Sequence, residues 1–392
     1  MIGISKLYCG AVEPGDVLRY RCHSGDLPSH LLQFSADKKP VVVWNITRRC
    51  NLKCVHCYAQ ADNAAAPDEL SHAEGLAVLD DLKQFGVPVV LFSGGEPLMR
   101  PDLFDLVSHT VAQGMRAVIS TNGTLISREI ALRLKDLRLS YVGISLDGIE
   151  ITHDRFRGKK GAFAAAMAGV HRCQEVGLKV GLRFTLNQAN FREVPAIFEL
   201  VEEYDIPRIC FYHLVYTGRG SELLDQALSH SETRETVDLI CERTRGLFDR
   251  NKAVEVLTVD NHADGPYICL KLLKEDPQRA AAVLELLKMN EGNNSGRGIG
   301  CISWEGSVHA DQFWRHYTFG NVRERPFSAI WTDLSDPMLA KLKDKKRHVT
   351  GRCAECRWLA VCAGNFRVRA EALTGDLWAP DPACYLTDEE IS

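Results

Sequence analysis

In the stretch RRCNLKCVHCYA (residues 48–59), Cys50, Cys54 and Cys57 stand at C-x3-C-x2-C spacing. Thiolates are soft ligands that suit iron–sulfur clusters or zinc. A structural zinc site closes with four ligands, and only three cysteines are at hand. His56 is a candidate fourth, awkwardly placed between two ligating positions. A [4Fe–4S] cube held by three cysteines instead leaves one iron without a protein ligand, open to a substrate or cofactor.

A second group lies near the C-terminus, with Cys353, Cys356 and Cys362 at C-x2-C-x5-C spacing and Cys384 beyond them. Four thiolates are enough to close a second cluster site, with zinc as the rival. Cys301 stands apart as a spare thiol, a catalytic hydrogen donor or an extra ligand. Cys9, Cys22, Cys173, Cys210, Cys241 and Cys269 have no partner spacing and read mostly as packing residues. The chain has 14 cysteines but no export signal in its first residues, which favours cluster or metal ligation over disulfides.

The elements that must position these thiols are legible from periodicity. Near-continuous apolar runs at 41–46, 87–93, 116–121, 141–146, 179–186 and 208–215 read as buried parallel strands. Amphipathic stretches alternate with them, one opening on a Ser71…Glu74 capping box and stopping at Gly86. The implied fold is α/β, a partial (βα)6 TIM-like barrel followed by a cysteine-rich C-terminal module, with chemistry at the C-terminal ends of the strands. The chain divides into an N-terminal extension (1–40), the barrel (41–220), a helical connector (221–297) and the C-terminal module (298–392). In the extension, Leu18, Tyr20, Leu27, Leu31, Leu32 and Phe34 are candidates to dock on a domain, and 35–40 reads as a linker.

With 392 residues, 45% of them hydrophobic, the chain can bury a large core. Its net charge of -4 gives no reason to expect nucleic acid or a membrane surface as a partner. No apolar run reaches membrane-spanning length, so a cytoplasmic protein is expected.

The first cysteine group, directly after the first strand, resembles the signature of radical S-adenosylmethionine (SAM) enzymes. SGGEP (93–97), STNGT (120–124) and SLDG (145–148) follow the next three strands, where that superfamily places its SAM contacts. The resemblance implies that SAM occupies the open iron of a [4Fe–4S] cluster, whose electron cleaves the S–C5′ bond to give a 5′-deoxyadenosyl radical. It also assigns cofactor-binding roles. Gly94 and Gly95 bring the backbone close to a ligand, and Glu96, followed by Pro97, accepts from the methionine ammonium. Asn122, Ser145 and Asp147 offer polar contacts to sugar hydroxyls or carboxylate. Arg183 pairs with the SAM carboxylate or else with a structural partner, and YTGRGS (216–221) borders the adenine.

The second cysteine group resembles the auxiliary-cluster modules of the SPASM and Twitch branches, which makes Cys353, Cys356, Cys362 and Cys384 metal ligands beside Cys50, Cys54 and Cys57. The full SPASM pattern carries seven cysteines. Here one of those positions falls near Phe366 and another on Asp311, so one auxiliary [4Fe–4S] cluster is expected.

The leader, the segment before the first strand and ISWEGSVHADQFWRHYTFGNV (302–322) are similar to the haem-biosynthesis branch, most of all to its 12,18-didecarboxysiroheme deacetylases. That resemblance implies an iron tetrapyrrole substrate, loss of two acetate side chains to give iron-coproporphyrin III, and a reductant such as ferredoxin or flavodoxin. Arg155, Arg157, Lys159 and Lys160 are candidate carboxylate contacts. His309, His316 and Cys301 are candidate ligands to the macrocycle's iron. The alternatives are haem d1 biosynthesis, oxidative haem synthesis, peptide modification, or a non-enzymatic Fe–S electron carrier.

Overall fold

The computed structural model describes residues 1–13, 15–20, 39–64 and 66–392. Ten strands form one sheet: β1 (Ile2–Gly3), β2 (Val41–Thr47), β3 (Val89–Gly94), β4 (Arg116–Thr121), β5 (Tyr141–Ser145), β6 (Val180–Leu186), β7 (Arg208–His213), β8 (Glu255–Val259), β9 (Ile299–Ile302) and β10 (Val308–His309). Their order is β1-β8-β7-β6-β5-β4-β3-β2-β9-β10. Strands β2 to β8 run parallel in sequence order, β9 adds in parallel beside β2, and β1 and β10 close the two edges antiparallel.

Alternation along each strand gives the sheet two faces. On β2, Trp44 is fully buried beneath the helix His72–Phe85, where Gly75 leaves room for its ring. Val43, one residue away, lines an internal cavity instead. The Ser71–Glu74 capping box and the left-handed Gly86 stop are both present. The helices Leu103–Ala112 and Ala162–Glu175 likewise occupy the expected stretches.

Two strands depart from the sequence reading. The stretch 221–297, expected as a helical connector, contains β8, which pairs with β7 and extends the barrel sheet. Its five residues are all buried, but the run EVLTV is short and flanked by long helical patterns. β9 belongs to the cysteine-rich C-terminal stretch and completes the sheet on the other side of β2. In the extension, β1 docks on β8, and Tyr20 is fully buried, its hydroxyl oxygen accepting from the Gly3 N–H at 2.9 Å. Leu27, Leu31, Leu32, Phe34, Cys22 and most of the 35–40 linker lie outside the described residues. Among the described residues, no helix is long and apolar enough to cross a membrane.

Candidate active site

The cysteine loop leaves the C-terminal end of β2 and is gripped from three sides. From β3, the Gly95 and Glu96 N–H groups donate to the Thr47 and Arg49 carbonyls at 2.7 Å each. A Cβ on Gly95 would lie 2.1 Å from the Arg49 carbonyl oxygen, and one on Gly94, at φ +128°, 2.4 Å from that of Thr47. These glycines were expected to admit a ligand. What they admit is the backbone of the cysteine loop itself. From the helix Glu150–Arg157, the Phe156 and Arg157 carbonyls accept from Val55 and Lys53. From the 216–221 segment, expected to border adenine, the Arg219 N–H donates to the Cys57 carbonyl at 3.0 Å and its Nε to that of Cys54 at 2.8 Å.

The loop presents its thiols in an apolar patch with Leu52, Ala59, Ala61 and Trp304. Cys50 and Cys54 are each 8% exposed. Donors converge on the sulfurs: the Leu52 N–H reaches Cys50 Sγ at 3.4 Å and Arg157 Nη1 reaches Cys54 Sγ at 3.4 Å. Burial pushes the Cys50 thiol up to about 12, so iron is what would make it a thiolate at neutral pH. Buried thiols with N–H donors aimed at sulfur fit an iron–sulfur cube. His56, the candidate fourth ligand, stacks on Phe156 with centroids 4.4 Å apart, and burial lowers its imidazole to about 4.

The predicted SAM contacts separate into two layers. Glu96 is fully buried, with both oxygens engaged: Thr121 Oγ1 donates at 2.7 Å, the Asn122 N–H at 2.8 Å and the Leu98 N–H at 3.1 Å. Burial raises its carboxyl against those bonds. It braces the turns after β3 and β4, with Pro97 opening the short 3₁₀ turn Pro97–Met99 behind it. Asn122 donates to Asn51 Oδ1 at 2.8 Å and stands 4.0 Å from Cys50 Sγ. Asp147, expected at a sugar or carboxylate, is also fully buried. It ion-pairs with Arg157 and accepts from the Thr185 N–H at 2.7 Å. It thus holds the guanidinium that touches Cys54.

Ser145 and Arg183 remain on the wall of a cavity of about 710 Å³ at the strand ends. Arg183 bonds Ser120 Oγ and lies over the Tyr212 ring at 4.8 Å, and among the described residues it has no carboxylate partner. Tyr58 reaches Asn45 Oδ1 at 3.1 Å and Ser93 Oγ at 3.2 Å on the same wall. Cys301, the candidate hydrogen donor, has no exposed surface. Its sulfur accepts from Asn45 Nδ2 at 3.6 Å, and burial raises its thiol.

Two residues of this cavity had no motif to mark them. Asp260, just past β8, sits in the left-handed region at φ +67°, with Oδ2 buried and unpartnered. Burial pushes its carboxyl up to about 6. His213, the last residue of β7, pairs through Nε2 with Asp264 Oδ2 at 2.9 Å. Strained backbone and unpaired buried charge of this kind gather at functional sites.

In the C-terminal module, Cys353, Cys356, Cys362 and Cys384 line one cavity of about 400 Å³ with Trp358 and Leu386. Arg369 and Asp381, both fully buried and paired at 2.7 Å, hold the segment that carries Cys384, whose N–H donates to the Asp381 carbonyl at 2.9 Å. Burial pushes the Cys362 thiol up to about 12 and that of Cys384 to about 11. Four thiols on the wall of one small cavity fit a closed cluster site.

The radical SAM superfamily signature matches residues 44–201, and SPASM, an iron–sulfur cluster-binding domain, matches residues 295–357. Fe-coproporphyrin III synthase of Methanosarcina barkeri is 67% identical over 394 residues, covering 100% of this chain and 99% of that protein. Pre-heme d1 synthase of Dinoroseobacter shibae is 44% identical over 356 residues, covering 90% and 87%. In fold, the chain is similar to Streptococcus suis SuiB bound to S-adenosylmethionine, with a TM-score of 0.69, 18% identity and 97% and 89% of the two chains covered. The chain therefore belongs to the radical SAM superfamily, in its SPASM-bearing haem-biosynthesis branch, an enzyme with a [4Fe–4S] cluster that binds SAM and an auxiliary iron–sulfur cluster.

Proposed function

We propose that the enzyme removes the two acetate side chains of 12,18-didecarboxysiroheme and releases iron-coproporphyrin III. The observation that carries this reading is the 67% identity to an Fe-coproporphyrin III synthase along essentially the whole of both chains. Cys50, Cys54 and Cys57 hold the SAM-binding cluster, and Cys353, Cys356, Cys362 and Cys384 hold the auxiliary one. Once reduced and loaded with SAM, the first cluster supplies a 5′-deoxyadenosyl radical. A reductant of the ferredoxin or flavodoxin class delivers the electron.

The chain's own residues position and shield. Arg157 donates to Cys54 and neutralises Asp147 at the cluster's edge. Arg183, without a carboxylate partner among the described residues, offers the SAM carboxylate or a substrate carboxylate a charge-assisted bond. Ser145 and Tyr58 supply polar contacts on the same wall. Leu91, Val215 and Phe313 give that wall its apolar surface and keep bulk water from a radical.

The test is anaerobic turnover of the reconstituted enzyme with SAM, dithionite and 12,18-didecarboxysiroheme, followed by product mass. Loss of two acetate-sized fragments is expected. Carbon dioxide released from propionates, or the oxidation pattern of a haem d1 precursor, would overturn the reading in favour of a sister reaction.

A further inference from the structure

Two cavities meet at the end of β7. The first is the 710 Å³ space beside Arg157 and Arg183. The second, of about 980 Å³, is lined largely by apolar side chains, among them Leu186, Tyr216, Leu224, Leu228 and Leu373. Leu224 and Leu373 are 45% and 40% exposed at its edge. His213 and Leu214 belong to both walls. The second cavity also carries Pro382 and Ala383, so it reaches the segment that holds Cys384. Apolar side chains interrupted by polar ones such as Asn261 and Arg369 suit one face of a flat macrocycle that bears carboxylates.

His213 is 7% exposed. Its Nε2 faces Asp264 Oδ2 at 2.9 Å, and Asp264 Oδ1 accepts from the Tyr385 hydroxyl at 2.7 Å. Burial opposes ionisation of Asp264, but the imidazole of His213 and the hydroxyl of Tyr385 hold its carboxyl below the usual range. An ionised carboxylate only accepts, so an N–H on Nε2 faces Asp264 and Nδ1 is the ring nitrogen left for another partner. Among the described residues, Nδ1 makes no hydrogen bond. A carboxylate behind one ring nitrogen, with the other nitrogen unengaged, is the arrangement that orients histidine as a metal ligand.

The two imidazoles singled out in the sequence are spoken for, and His230, on the wall of the second cavity, is exposed to solvent with its Nε2 on the Pro382 carbonyl at 2.8 Å. His309 is buried with Nδ1 on the Tyr317 carbonyl at 2.8 Å and Nε2 on Ser303 Oγ at 3.3 Å. His316 pairs with Glu371 at 2.9 Å.

We infer that His213 binds the iron of the tetrapyrrole substrate through Nδ1. The macrocycle then lies in the apolar cavity, and an axial bond anchors it at the junction with the SAM-side cavity. This rests on the reading of the substrate as an iron tetrapyrrole. Asp264 and Tyr385 act as positioning residues, and Tyr385 links the anchor in sequence to Cys384.

Iron-coproporphyrin III and metal-free coproporphyrin III serve as probes of the cluster-loaded enzyme. The wild-type protein should bind the iron form at least about tenfold more tightly and give the displaced Soret band and electron paramagnetic resonance signal of histidine-ligated iron. His213→Ala, with cluster iron intact, should lose both the preference and the signal, and added imidazole should restore the signal. Equal affinities and no ligation signal in wild-type enzyme that still converts didecarboxysiroheme would overturn the inference and leave the substrate reading standing. That comparison needs no variant, so it decides the matter even if His213→Ala fails to load clusters. A ligation signal unchanged in His213→Ala would also overturn it. Wild-type enzyme that neither binds nor converts an iron tetrapyrrole would overturn both.

Discussion

Cys54 and Asp147 share one guanidinium, and that shared charge governs what each can tolerate. Arg157 is itself nearly buried, so removing it strands the Asp147 carboxylate without compensation. Arg157→Met should cost about 3–5 kcal/mol of stability, read by chemical denaturation, and should lower iron loading at the first cluster. Asp260 behaves oppositely. Its carboxyl is raised by burial to about 6, so the folded protein holds a proton that the unfolded chain releases near pH 4. Its contribution to stability is complete below about pH 4 and declines as pH climbs to about 6. Asp260→Asn should flatten that window and stabilise the protein at pH 7 by roughly 2–3 kcal/mol, while lowering turnover. Melting temperatures across pH 4 to 7 check the first expectation; equal turnover would remove Asp260 from the site. The cysteines were legible in the sequence because thiol spacing is rare and chemically explicit. Asp260 and His213 were not, because a single acidic or imidazole residue at a strand end has no pattern until the fold surrounds it.

The (βα) repeat was the most legible feature of the elements, since six near-continuous apolar runs mark strands covered on both faces. β8 escaped because five residues between helices carry little periodicity. The motif turns stand at the strand ends, and the structure gives them a second task beside any contact to a cofactor. Gly94, Gly95 and Glu96 form a wedge under the cysteine loop, and Gly218 does the same at its far end, where a Cβ would lie 2.5 Å from the Cys57 carbonyl oxygen. A contact between backbone and backbone leaves no trace in side-chain chemistry, so this task was not legible in the sequence. Gly95→Ala should therefore pry the loop from β3 and cost the first cluster alone. Iron analysis should then fall from about eight to about four per chain, with the auxiliary cluster retained. Undiminished iron would show that the loop does not depend on this wedge.

Across the whole molecule, the two cysteine groups stand at opposite ends of the chain, yet the sheet brings their surroundings together. β9 lies beside β2, and the Arg369–Asp381 pair, the Tyr385–Asp264 bond and His213 join the auxiliary-cluster module to the barrel cavity. The C-terminal stretch supplies Gln312 and Phe313 to the wall of the first cavity and Arg369, Leu373, Pro382 and Ala383 to that of the second. In the proposed reaction, attack by the SAM-derived adenosyl radical removes each acetate. The most direct measurement counts 5′-deoxyadenosine against iron-coproporphyrin III in anaerobic turnover of the reconstituted enzyme. Two molecules of 5′-deoxyadenosine per macrocycle are predicted, with both products absent in Cys50→Ala, Cys54→Ala and Cys57→Ala enzymes. Iron-coproporphyrin III formed without 5′-deoxyadenosine, or formed undiminished by any of those variants, would contradict it.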